Sequence, residues 1–243
     1  MKRRALVLGG SGYVGGAIVR ELRTRDVDVW CTYLTGDAAA ESLRASHGVH
    51  PVRCDLLDTA AVASAVRTAS TDGPVDILVH AAGAFAGEAV ADVTPVIFDR
   101  VMQLAVRAPF VAAQELMRVM DGRATEAAAN AGRTDVILIG ALDAGQSLPL
   151  PPHFAAGEGA KSALAMSLAK ELGPANVRVN VVSVGLLTGG MSAALSDSMA
   201  KDFAAFSALG RRGRAEEVAK VVAFLALDSD FLTGKTVPVN GGL

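Results

Sequence analysis

The sequence predicts an α/β protein of one domain, residues 1–243, in which a doubly wound parallel sheet of about seven strands carries helices on both faces. Three observations predict it. An apolar run, Ala5-Leu6-Val7-Leu8, enters a turn with glycines at 9, 10 and 12, and a helical period begins directly afterwards. Strand-length apolar runs then alternate with helix-period stretches along the whole chain. With 243 residues, 51% of them hydrophobic, the chain can bury one large core.

The elements follow in order. After the first strand and its glycine turn, Val14, Ala17, Ile18 and Leu22 recur at three- and four-residue spacing, with Arg20, Glu21 and Arg23 between them, so one helix face is buried. Val27 to Tyr33 reads as a second strand, Ala38 to Ala45 as a short helix and His50 to Cys54 as a third strand. Asp55-Leu56-Leu57-Asp58 leads into a helix through Ala69, and Pro74 to His80 is a fourth strand that ends in Ala81-Ala82-Gly83. A long helix runs from about Pro95 to Met120, and the polar, alanine-rich stretch Asp121 to Arg133 reads as its end and a surface loop. Asp135 to Ile139 is the fifth strand, Ala155 to Leu172 a helix and Val177 to Val182 the sixth strand. A loop with small helices, the helix Glu216 to Leu227 and the strand Thr236 to Val239 complete the chain. Right-handed crossovers between such units leave ligands at the carboxyl ends of the strands, here the loops of residues 140–157 and 185–213.

Composition narrows the function. A formal charge of −2 without a basic run argues against nucleic acid as the main partner. No stretch approaches the ~20 apolar residues of a membrane span. Met1-Lys2-Arg3-Arg4 leads into a strand rather than a signal sequence, so a cytoplasmic location is expected. Cys31 and Cys54 form no CxxC and have no histidine-rich neighbour, which indicates buried thiols and no metal site. The glycine turn carries the chemistry. Strand, turn and helix in that order leave the first helix amides free to hold an anion such as a pyrophosphate. Gly9 permits the turn, Gly12 lets a ligand approach the backbone, and Gly15 lets the helix pack closely.

The whole chain resembles a short-chain dehydrogenase/reductase, with a Rossmann-type fold. The resemblance rests on the glycine turn, Asp55-Leu56, Ala81-Ala82-Gly83, Lys161, Arg178-Val179-Asn180, Thr233-Gly234 and the closing Val239-Asn240-Gly241-Gly242. The glycine spacing is that of the extended and atypical members, although the length suits the short ones. The resemblance implies that Gly9, Ser11, Gly12, Tyr13, Val14 and Gly15 bind the pyrophosphate and that Asp55 and Leu56 lie against the adenine. It also implies that Ala81, Ala82, Gly83, Gly185 and Thr188 belong to the cofactor site and that Lys161 holds the nicotinamide ribose. An acid at the end of the second strand would select NAD. Thr32-Tyr33-Leu34-Thr35 stands there, so NADP is expected over NAD, with Tyr33 and the threonines as hydroxyl donors and Arg44 too far along the helix to count.

The departures concern proton transfer. In the family a tyrosine four residues before the lysine protonates the substrate oxygen, and here that position is Gly157. The serine after the fifth strand falls on Ala141 or Gly140, the helix asparagine on Ala105 and the proline after the sixth strand on Val184. A reductase would then take its proton from a phenol on the substrate, from water, or from Asp143, His153 or Glu158. Each side chain has a plainer reading: Asp143 as a loop-fixing turn residue, His153 as a solvated loop residue, Glu158 as an exposed first-turn residue. His80, at the end of a buried strand, reads as a hydrogen-bonded core histidine.

Ala141, Leu142, Phe154, Gly157, Leu187 and Met191, with Leu148, Leu150 and Leu186, surround the expected substrate space, and the small residues 141 and 157 widen it for a bulky apolar or aromatic substrate. The leading expectation is an NAD(P)H-dependent ketoreductase of a polyketide-like ketone with a non-standard proton source. Two alternatives stand beside it: a redox-inactive relative acting as partner subunit of an active reductase or as nucleotide sensor, and a lyase or dehydratase. Apolar residues on more than one face of the helices around Phe98 to Met120 and Ala155 to Leu172 predict a homodimer or homotetramer.

Overall fold

A computed structural model describes residues 2–84, 87–121, 132–141, 150–194 and 196–243. Seven parallel strands form one sheet in the order β3-β2-β1-β4-β5-β6-β7: β1 Arg4–Leu8, β2 Asp28–Tyr33, β3 His50–Arg53, β4 Ile77–His80, β5 Thr134–Ala141, β6 Val177–Val184 and β7 Thr236–Val239. The helices are α1 Tyr13–Thr24, α2 Asp37–His47, α3 Thr59–Ala69, α4 Pro95–Met102, α5 Ala108–Asp121, α6 Pro152–Leu172, α7 Asp197–Phe206 and α8 Ala215–Ala223.

Alternation along the strands divides the core into two layers. Ala5 and Val7 of β1 face Ile18 and Leu22 of α1 and Val218 and Val222 of α8. Leu6 and Leu8 face the other way, onto Val62 and Val66 of α3, Leu116 of α5 and Leu168 of α6. Strand order reverses between β1 and its two neighbours β2 and β4, which opens a crevice at the strands' carboxyl ends. The opposite end is closed by charge. Asp135, 2% exposed, accepts from Arg178 at 2.5 Å, Arg3 at 3.0 Å and Arg133 at 3.1 Å, and Arg178 also donates to the Leu225 and Leu232 carbonyls. Arg178 thus ties β5 and β6 to the C-terminal segment, where Asn180 joins it by donating to Leu232 O and accepting from Lys235 N.

Several boundaries differ from the sequence reading. The long helix expected from Pro95 to Met120 is continuous in space but contains a π turn over Gln103–Arg107, which shifts the facing of α5 relative to α4. The helix expected from Ala155 begins at Pro152, since proline suits the first turn, where no amide bond is lost. This places Glu158 in the second turn. The fourth strand is confined to Ile77–His80, and α2 extends to His47, where Gly48 ends it in the left-handed region at φ +60°.

Candidate functional site

The cleft at the carboxyl ends of the strands has a volume of about 750 Å³ and runs from the glycine turn across β4 and β5 to α6 and α7. Its shape starts in the glycines. Gly9 has φ +78°, and a Cβ there would stand 2.8 Å from the Ala82 Cβ. A Cβ on Gly15 would stand 2.1 Å from the Gly9 carbonyl, so Gly15 is what allows α1 to lie against the turn; it does not reach the cleft itself. Thr32 Oγ1 accepts the Gly9 amide at 2.9 Å and anchors the turn to β2, so this buried hydroxyl holds the backbone. Ser11, Gly12, Tyr13 and Val14 line the cleft at the start of α1.

Tyr13 also crosses to the far wall. Its hydroxyl shares a 2.9 Å hydrogen bond with Thr188 Oγ1, and a Cβ on Gly189 or Gly190 would touch its ring at 2.8 Å or 3.1 Å. Thr188 therefore meets the cleft through Tyr13, while Gly185 lines it and packs on Asn240. At the β2 end the walls are Tyr33, Leu34, Thr35, Gly36, Asp55 and Leu56. Asp55 Oδ1 accepts the Leu57 amide at 2.9 Å, which fixes that carboxylate's orientation. Arg44 is exposed and engaged with Glu41 at 2.6 Å, away from the cleft.

The α6 end holds a buried ion pair. Lys161, 2% exposed, donates to the Ile139 carbonyl at 3.1 Å and to Glu158 Oε1 at 2.8 Å. Glu158 Oε2 accepts the Ala141 amide at 2.7 Å, and its side chain is 8% exposed. The expectation of an exposed first-turn glutamate is thereby corrected: the earlier helix start turns Glu158 inward. His80 lies close enough to feel the Lys161 charge, and burial pushes its pKa down to about 3.

Other expected residues fall elsewhere. Gly157 does not line the cleft, because a Cβ there would meet Ala105 Cβ at 3.1 Å and Val101 Cγ1 at 3.2 Å; the small residue serves close packing of α6 on α4 and its π turn rather than widening the substrate space. His153 is not a solvated loop residue either. It is 2% exposed in α6, stands 3.5 Å from Glu88 Oε2 and is absent from the cleft wall, which gives an acid role no support. Asp143, Leu142 and Leu148 lie outside the described residues. Ala141, Phe154, Leu187 and Met191 line the cleft as expected, with Ala81, Ala82 and Gly83 beside them. Sequence reasoning missed Arg100 and Leu104 and the α7 residues Met199, Asp202, Phe203 and Phe206. The spacing of 199, 203 and 206, one helical stripe, was the available signal.

Among the described residues no group of histidine, cysteine and acidic side chains could hold a metal, and no helix is long and apolar enough to cross a membrane. The family model described as enoyl-(acyl carrier protein) reductase matches residues 12–243. The 3-oxoacyl-[acyl-carrier-protein] reductase MabA of Mycobacterium tuberculosis is 31% identical over 100% of this chain and 93% of its own length. The cyclic-di-GMP-binding biofilm dispersal mediator protein of Escherichia coli is 32% identical over 98% of this chain and 96% of its own. Among solved structures, a short-chain dehydrogenase/reductase from Serratia marcescens superimposes with a TM-score of 0.88 at 32% identity, covering 99% of this chain and 97% of that one. A blue fluorescent protein from a metagenomic library, in complex with NADPH, gives a TM-score of 0.88 at 31% identity with the same coverage.

Proposed function

The chain belongs to the short-chain dehydrogenase/reductase family of NAD(P)-dependent oxidoreductases, and from that premise we propose that it is an NADP(H)-dependent ketoreductase of a bulky apolar or aromatic ketone. One observation carries the reading: a single cleft joins the glycine turn to the buried Lys161 and continues between apolar walls. The cleft's own features fit a dinucleotide. Gly9 and Gly12 have no side chain to obstruct a pyrophosphate, Ser11 between them is small, α1 presents its first amides there, and Asp55 is fixed at the adenosine end. Bound in this cleft, the nicotinamide cofactor supplies hydride to the carbonyl carbon.

The chain's residues supply the rest. Ser11, Gly12, Tyr13 and Val14 hold the pyrophosphate, Lys161 the nicotinamide ribose, and Ala81, Ala82, Gly83 and Gly185 shape the ring's berth. NADP is preferred because none of Tyr33, Leu34 and Thr35 is an acid that would repel a 2′-phosphate. Leu150, Phe154, Leu187 and Met191 exclude water from the reacting carbonyl. The oxygen's proton comes from a group other than a tyrosine at position 157, the place of the family's donor.

The test is a fluorescence titration of NADPH and NADH, followed by turnover on a panel of phenolic and non-phenolic ketones. Micromolar NADPH binding is expected, at least tenfold weaker in Lys161→Ala and Gly12→Asp, with NADPH oxidised by a bulky ketone. Among the described residues the cleft wall carries Ala141 and Phe154 but no tyrosine or serine beside Lys161, which favours a second reading, a redox-inactive partner subunit. NADPH binding with no turnover on any ketone would select it.

A further inference from the structure

The cleft carries more ionisable side chains than cofactor binding uses, and their positions sort them. Tyr13, Tyr33 and Asp55 belong to the glycine turn and the adenosine end. Arg100 of α4 and Asp202 of α7 stand exposed at the rim. Glu158 and Lys161 alone of the described set are held at the Ile139–Ala141 end with side chains 8% and 3% exposed. A carboxylate is costly to bury unless it is paired, and this one is doubly held, by the Lys161 ammonium at 2.8 Å and the Ala141 amide at 2.7 Å. The pair sits on the cleft wall, whereas the Asp135 cluster ties the strands together at the far end of the sheet.

We propose that Glu158, paired with Lys161 at the Ile139–Ala141 end of the cleft, is the proton-transfer residue of this enzyme. The inference rests on the ketoreductase reading above. As the carbonyl carbon gains hydride and its electron pair, the C=O π pair moves onto oxygen. Glu158 is held as a carboxylate, so the proton starts on Lys161 Nζ: its N–H bond breaks as the Glu158 oxygen takes the proton, that O–H bond breaks in turn as the alkoxide forms its own, and the neutral amine takes a proton from solvent. The alkoxide is a far stronger base than either partner, so the transfer runs downhill. In the oxidising direction the same carboxylate accepts the alcohol proton. The Ala141 amide holds the carboxylate in position through both directions.

The experiment compares the whole protein with Glu158→Gln and Glu158→Asp. Glu158→Gln keeps the size and an oxygen for the Ala141 amide but carries no transferable proton. Expected are NADPH affinity within threefold of the parent, a melting temperature lowered by the loss of the Lys161 counter-ion with unchanged far-ultraviolet circular dichroism, and kcat lower by on the order of 10²- to 10⁴-fold. Glu158→Asp retains the charge at shorter reach and loses about tenfold or more. Arg100, Asp202 and the neutral His80 near Lys161 are common to all three proteins. A readout without turnover is infrared difference spectroscopy on adding NADP⁺: a carboxylate band, absent from Glu158→Gln, shifts as Lys161 engages the nucleotide. Parent-like kcat in Glu158→Gln or full activity in Glu158→Asp, or a band that does not shift, overturns the inference and leaves the ketoreductase reading standing. A parent protein that oxidises no NADPH with any ketone overturns both.

Discussion

His80 closes β4 with no exposed surface. Burial first, and the Lys161 charge second, push its pKa from 6.5 down to about 3, and the backbone groups of His80 and Leu104 offset only part of the shift. In the unfolded chain the ring takes up a proton near 6.5, so between there and about 3 the unfolded state holds one proton more than the folded state. The contribution to stability is therefore whole above pH 6.5 and is lost as the pH falls toward 3, at about 1.4 kcal/mol per pH unit. Urea unfolding at pH 6 and pH 5 checks this: the parent is expected to lose that amount more than His80→Asn over the interval. Equal slopes would show that the buried ring protonates without cost. At this scale the sequence was half legible. A histidine ending an apolar strand announces burial, but that neither ring nitrogen gains a full hydrogen bond depends on the π turn carrying Leu104, which no local pattern encodes. Glu158 shows the same limit. One extra turn at the start of α6, set by Pro152, decides whether its carboxylate meets water or Lys161.

At the scale of elements, α7 lines the apolar end of the cleft, and on the ketoreductase reading proposed above it meets substrate rather than cofactor. Ala200 anchors it, while Met199, Phe203 and Phe206 spaced along one side line the cleft and leave 52% of Met199 and 76% of Phe206 open to solvent. An apolar stripe left uncovered beside a cavity is a surface awaiting a ligand. Phe203→Ser removes contact worth about 1.5 kcal/mol for a bulky apolar ketone, so its KM is expected to rise about tenfold with NADPH affinity unchanged. Steady-state kinetics on one bulky and one small ketone decide it, because an equal rise for both would mean that the helix only supports the fold. The strands and glycine turn were readable because a central parallel strand must be apolar on both faces and a tight turn needs glycine. Helix α7 was harder to read, because its one short apolar stripe, Met199, Phe203 and Phe206, faces a cavity instead of the core. The β5 and β6 ends were underestimated for a related reason: Gly140, Ala141, Ser183 and Val184 pair fully in the sheet, although the sequence there already reads as site loop.

At the scale of the molecule, the two core layers account for the inner faces of α5 and α6, where Ala112, Ala113, Leu116, Ala165 and Leu168 are buried. They leave Phe98 and Phe110 42% exposed and Met166 56% exposed on the same side of the sheet. A helix that is apolar beyond its inner stripe has a second surface to cover, and a stable interface requires about 800 Å² from each partner. We expect this face to join two copies of the chain, giving at least a dimer by sedimentation velocity. Phe110→Arg combined with Met166→Arg places two cations on that surface, and the expected product is a monomer with unchanged far-ultraviolet circular dichroism. A monomeric parent would remove the dimer and leave the exposed aromatics to a different partner chain. The same measurement bears on function. A discrete homo-oligomer that oxidises NADPH needs no second reductase subunit, whereas a monomer that binds NADPH without turnover is what a partner subunit would show when separated from its mate.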